Sequence, residues 1–241
     1  MNLNNLMEID RPPKGGLRVA PPSGLRERNK VDKLRRIKAA AAELFTKKGF
    51  EATTTAEIAK HAGVGEGTLF LYAKDKRDLL FQIRLEDLEQ TRVNGFAKVD
   101  PNSPLLEQLI VPEVAMYRHV AKNIRLERIF FEEISFCSGT QAAGIQENRA
   151  RAIARIEKLV VRAEQAGQIR CDEDTAFVAR HMFYSSMGAM RWWIAEPKPK
   201  LSEGIAAVRR VYALHLRALN PHPCVFGPDG RATRTITGVS Q

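Results

Sequence analysis

Cysteine is scarce in this 241-residue chain, and Cys137, Cys171 and Cys224 stand far apart with no CxxC pair. Neither a disulfide framework nor a cysteine-based zinc site fits that spacing, and a reducing compartment suits it. Long apolar runs are missing too; none approaches the roughly 18–20 residues a membrane helix needs. The polar, proline-bearing start lacks the pattern of a signal peptide, so a cytoplasmic protein without a membrane partner is expected. His61, His119, His181, His215 and His222 have no second ligand at i+3 or i+4, and no Ser-His-Asp or paired-carboxylate spacing is present. No metal, no cofactor and no enzymatic activity are therefore expected. Nor does a period-two alternation mark any strand.

What is present is positive charge: 38 Lys and Arg against 28 Asp and Glu give a formal net +10. This balance favours a polyanionic partner without identifying one. With 44% hydrophobic and 27% charged residues, the chain is globular overall. The leader is an exception. Residues 1–29 carry Pro12, Pro13, Pro21 and Pro22 with Gly15, Gly16 and Gly24, a composition that resists regular structure and predicts flexibility. Arg11, Lys14, Arg18, Arg26 and Arg28 make it basic, which suits either a solvated tail or an arm on DNA. Residues 221–241 are expected to be a second mobile tail.

The most specific segment is TTTAEIAKHAGVGEGTLFLYAKDKRDLL, from Thr53 to Leu80. A threonine among Thr53, Thr54 and Thr55 can cap a helix whose Ile58 and Ala59 face inward. Gly63 can stop that helix in the left-handed conformation, and a second helix is expected to start near Gly65. On it, Leu69 would point at the first helix, leaving Thr68, Phe70, Leu71 and Tyr72 on or near the outer face. A helix-turn-helix results, with a helix to place in the major groove. Spacing alone equally allows a solvated or protein-binding surface.

From about Lys30 to Phe81 the pattern T-T-x-x-x-I-A-x-x-A-G-V-x-x-G-T-L-[FY]-x-Y-x-x-x-K-x-x-L-L resembles the DNA-binding domain of the TetR family of bacterial transcription repressors. Four positions depart from that family's usual pattern: Gly65 replaces a capping Ser, Glu66 a common Lys, Arg or Pro, Phe70 a Tyr, and Ala73 a Phe. By chemistry and resemblance, the DNA-binding set is Thr54, Gly65, Glu66, Thr68, Phe70, Leu71, Tyr72 and Lys76. In it, Lys76 is assigned to phosphate, Leu71 to a thymine methyl and Glu66 to a cytosine amino group.

Helical periodicity covers the rest. Helices are expected from Val31 to Lys48, from after Asp75 to about Gly95, over Leu105 to Val111, Pro112 to Asn123 and Arg125 to Phe136. Further helices follow from Ile145 to Ala166, from an Asp172 cap to about Ile194, and from Ser202 to Leu219. Glu127, Glu132 and Glu133 read as a solvated face. Trp192 and Trp193 are adjacent, so one helix cannot bury both in a single core.

The fold class read from this pattern is all-α. An N-terminal three-helix domain with the helix-turn-helix occupies 30–76, and a larger C-terminal helical domain for ligand binding and dimerisation occupies 77–220. Met116, Tyr117, His119, Phe130, Phe136 and Phe183 form the candidate ligand pocket. The resemblance implies pairing of the last two helices with their copies, which places Met187, Val208, Tyr212 and Leu216 at the dimer interface. The function it implies is that of a repressor, a homodimer on a palindromic operator in double-stranded DNA, released by a small-molecule effector. A DNA-binding structural protein whose C-terminal domain docks a protein partner is the alternative.

Overall fold

A computed structural model describes residues 24–134, 140–170 and 173–219. Most of the basic leader, the C-terminal tail, Phe136, the Asp172 cap and all three cysteines lie outside these residues. Among the described residues the regular structure is helical: α1 Leu25–Lys47, α2 Thr55–His61, α3 Glu66–Leu69, α4 Lys76–Phe96, α5 Leu105–Val120, α6 Ile124–Glu133, α7 Thr140–Gln165, α8 Thr175–Ala195 and α9 Leu201–Ala218. None of these helices is long and apolar enough to cross a membrane.

The first helix starts earlier than its apolar period suggested, at Leu25 instead of Val31. Nothing after Gly24 breaks it, and Asp32 pairs with Arg35 at 2.7 Å and Arg36 at 3.1 Å, which favours the helical turn. Packing begins only at Ile37, from which Ala40, Ala41 and Phe45 face the core. Gly49, at φ 93°, ends the helix and folds Phe50 back onto Phe45, with ring centroids 5.0 Å apart.

Those residues, with Ile58, Leu69, Leu79 and Leu80, form the core of the small N-terminal domain. Full burial of Ile58 and Leu69 is worth roughly 1.5–3 kcal/mol each, which locks α2 and α3 against α1 and α4. Asp75 caps α4 by accepting from the Asp78 amide at 2.8 Å. From there α4 runs without a break into the larger domain.

In that domain α5 passes straight through Pro112, where separate segments were expected. The proline lacks a donor, yet it is buried against α4 at Gly95, where an added Cβ would lie 2.9 Å from Pro112 Cα. Close packing of α4 and α5 thus holds the helix together. Asn123 caps α6, and Asp174, in place of the expected Asp172, caps α8 by accepting from the Ala176 and Phe177 amides. Tyr117 and Trp193 pack with ring centroids 4.9 Å apart and planes tilted by 40° over Gly204, bringing α5, α8 and α9 together. Trp193 also donates to the Lys200 carbonyl at 2.9 Å, while Trp192 is 77% exposed.

Candidate nucleic-acid interface and effector cavity

The helix-turn-helix is held by its own polar groups. Thr54 is the N-cap of α2: its hydroxyl accepts from the Glu57 amide at 3.2 Å, and Glu57 accepts from the Thr54 amide at 3.0 Å. The Lys48 ammonium and these Thr54 contacts hold the Glu57 carboxyl down at about 2. At the far end Val64 donates to Ala59 at 3.0 Å and Gly63 to Lys60 at 3.2 Å, a Schellman closure that requires the φ of 65° found at Gly63. Arg36 adds a bond to the Ala62 carbonyl at 3.0 Å.

The next helix is brief. After Leu69 the chain tightens, with Leu71 bonded to Thr68 and Tyr72 to Leu69, so Phe70, Leu71 and Tyr72 lie just past it. Gly65, Glu66, Gly67, Phe70 and Leu71 are exposed together, Leu71 at 82%, and Thr68 is half-buried beside them. Three members of the expected set make contacts within the protein. Tyr72 is half-buried against the core, and its carbonyl accepts from Gln82 at 3.1 Å. Glu66 accepts the Thr55 hydroxyl at 3.0 Å, which ties the start of α3 to the start of α2. Lys76 donates to the Phe50 and Glu51 carbonyls at 3.0 and 3.1 Å and lies 3.7 Å from the Glu51 carboxylate.

The larger domain contains two adjoining cavities among α4, α5, α7 and α8, the first also reaching α9 and the second α6. Each holds about 500 Å³ of atom-free space, solvent at the mouth included. Of the expected pocket residues, Met116 and Phe183 line both and Phe130 lines the second. Tyr117 and His119 do not. Tyr117 is fully buried under Trp193, and His119 accepts from Arg84 Nη2 at 2.8 Å through its Nε2.

The cavities also have charged and polar members outside the expected set: Arg92, Glu113, Asn148 and Arg149 line them, with Arg92 Nη1 donating to Asn148 Oδ1 at 3.0 Å. Tyr212 donates to Glu113 at 2.7 Å, and burial raises the Glu113 carboxyl above its usual range. The signal was legible: Arg92 and Glu113 interrupt the apolar stripes Leu85, Leu88, Phe96 and Leu109, Met116, Val120. Likewise Glu127, expected on a solvated face, is 1% exposed and paired with buried Arg84. Burial lifts its carboxyl to about 7, and desolvation beside Arg84 lowers His119 to about 4.

The expected interface residues are also relocated. Val208, Tyr212 and Leu216 are buried within one chain, between α9 and its neighbours. Met187 lines both cavities. The apolar stripe of a final helix can face core or partner, and here α5 and α8 cover it. A different stripe on α8, Phe177, His181, Tyr184, Gly188 and Trp192, is exposed, as is Leu214 of α9, and His181 meets His215 of α9 at 2.8 Å.

The family model for bacterial regulatory proteins, tetR family, matches residues 37–83, and the tetracyclin repressor-like C-terminal domain matches 103–218. YhgD of Bacillus subtilis, an HTH-type transcriptional regulator, is 25% identical over 186 residues, covering 76% of this chain and 96% of that protein. The HTH-type transcriptional regulator AcrR of Shigella flexneri is 27% identical over 194 residues, covering 75% and 89%. In fold, the chain resembles Thermus thermophilus FadR, a TetR family transcriptional repressor solved with lauroyl-CoA. The TM-score is 0.62 and the identity 23%, covering 75% of this chain and 93% of that one. With its helix-turn-helix matched by one model and its helical remainder by the other, the chain belongs to the TetR family of DNA-binding transcriptional regulators.

Proposed function

We propose that the protein is a homodimeric repressor that binds a palindromic operator and is released by a small-molecule effector. The observation that carries this reading is the course of α4. Its first residue, Lys76, is bonded to the α1–α2 connection, and further along Leu85, Leu88, Arg92 and Phe96 wall the cavities. A ligand that displaces the cavity wall therefore displaces the helix-turn-helix. Two recognition elements in successive major grooves need a separation of roughly 34–36 Å, and loss of that spacing lowers affinity.

Exposed Gly65, Gly67, Thr68, Phe70 and Leu71 supply the DNA-facing surface in this reading. The two glycines permit close approach of the backbone to phosphates, and Leu71 offers an apolar contact to a thymine methyl. Thr54 caps α2 beside that surface, and Glu66 braces it through Thr55. Dimerisation uses the exposed stripe from Phe177 to Trp192 with Leu214, whose apolar area suits a copy of itself. The effector class is one with an apolar body, in keeping with the chambers' lining and with lauroyl-CoA in the Thermus thermophilus FadR fold neighbour.

Thermal unfolding of the protein with a metabolite library, followed by anisotropy on selected DNA, tests the reading. A compound that raises the midpoint and weakens DNA binding supports it. Ligands that stabilise the protein without changing DNA affinity would contradict it.

A further inference from the structure

The two cavities share Arg92, Met116, Phe183, Met187 and Met190, so they are adjoining chambers with Arg92 in their common wall. Apolar residues dominate elsewhere, and the three methionines give the lining an adaptable shape. A guanidinium in such a place demands a counter-charge. Arg92 is poorly supplied: among the described residues its ion pair is Glu89, at 3.6 Å. Glu89 is shared, lying 2.6 Å from Arg155 and 3.3 Å from Arg151. Arg151 has Glu147 as a closer partner at 2.6 Å, so Glu89 is divided chiefly between Arg155 and Arg92.

Glu113, the other acid of the first chamber, is the larger favourable charge on Arg92, ahead of Glu89, but among the described residues it forms no ion pair with it. Its nearest bond is the one it accepts from Tyr212 at 2.7 Å, and burial favours its neutral form. The cationic side chains of the lining are Arg92 and, in the second chamber, Arg149. Asn148 fixes the guanidinium by accepting at 3.0 Å while its own amide donates to the Leu85 carbonyl at 3.4 Å.

We propose that the effector is an amphipathic monoanion, a carboxylate whose acid group pairs with Arg92 while its apolar body lies along Met116, Phe183, Met187 and Met190. The inference rests on the reading of these chambers as the effector site. A carboxylate can take the planar fork of Arg92 in two parallel hydrogen bonds, which neither an alcohol nor a quaternary amine can do. Charge sign is then the first filter on ligands.

Isothermal titration of the full chain with dodecanoate, dodecan-1-ol and dodecyltrimethylammonium, each as monomer, tests this directly. Dodecanoate is expected to bind at least about tenfold tighter than the alcohol, and the cation weakest. Arg92→Met should abolish the preference for the acid, with circular dichroism checking the fold. Should that variant fail to fold, Arg92→Lys keeps the charge but loses the fork, and is expected to weaken dodecanoate while leaving the alcohol unchanged. Glu113→Gln should keep the preference. Equal or tighter binding of the alcohol or the cation overturns the charge assignment and leaves the effector site standing. Binding of none of the three overturns both.

Discussion

Lys76 Nζ donates to the Phe50 carbonyl at 3.0 Å and lies 4.6 Å above the centre of the Phe50 ring. The first residue of α4 is thereby clamped to the connection between α1 and α2, and its charge is spent inside the protein.

Lys76→Ala is accordingly expected to act on stability. Loss of two carbonyl contacts and a cation–π contact should cost about 1–2 kcal/mol in thermal unfolding. The dependence of DNA affinity on salt should keep its slope. A slope lowered by about one, with unfolding unchanged, would return Lys76 to the phosphates.

Leu71→Ala should do the opposite. The side chain is 82% exposed, so unfolding is expected to stay within about 0.5 kcal/mol of the parent. Preference at one base pair should relax at a cost of about 1–3 kcal/mol, read by competition between operator variants. An unchanged ranking of those variants would remove Leu71 from the reading face.

Paired substitution of Trp192 and Leu214 by glutamate should give folded monomers in light scattering, because both side chains are exposed on the proposed dimer face. Charge at buried Val208 or Tyr212 should instead unfold the chain. A dimer that survives the Trp192/Leu214 pair would place the contact elsewhere.

The Arg84 cluster gives opposed pH effects. Glu127 is raised from 4.5 to about 7, so the folded state holds a proton the unfolded state has lost, and stability falls as pH rises through that window. Glu127→Gln should therefore gain on the parent between about pH 4.5 and 7. His119 is lowered from 6.5 to about 4, so its contribution to stability is lost as pH falls from 6.5 to 4. The parent's advantage over His119→Gln should shrink over that fall. Differences flat with pH, in chemical denaturation, would contradict both assignments.

How far the sequence could be read follows from what a one-dimensional pattern contains. Thr54, Gly63, Leu69 and Asp75 are local signals, each set by neighbours within five residues, and the structure places them at cap, turn, core and cap. Val208, Tyr212 and Leu216 show the limit. Their period marks an apolar face, but what covers it is decided by α5 and α8, far away in the chain. Glu127 depends on Arg84, 43 residues earlier, and Lys76 on a carbonyl 26 residues earlier. A charge set on an apolar stripe, as at Arg92, Glu113 and Glu127, was the clue to those distant partners.

Selection of bound sequences from a random DNA pool by the full chain tests the repressor reading most directly. Two recognition elements related by a dimer axis predict a twofold-symmetric site whose half-sites are centred about 10–10.5 base pairs apart, or a multiple of that turn. Enrichment of a single asymmetric half-site, or of none, would contradict it.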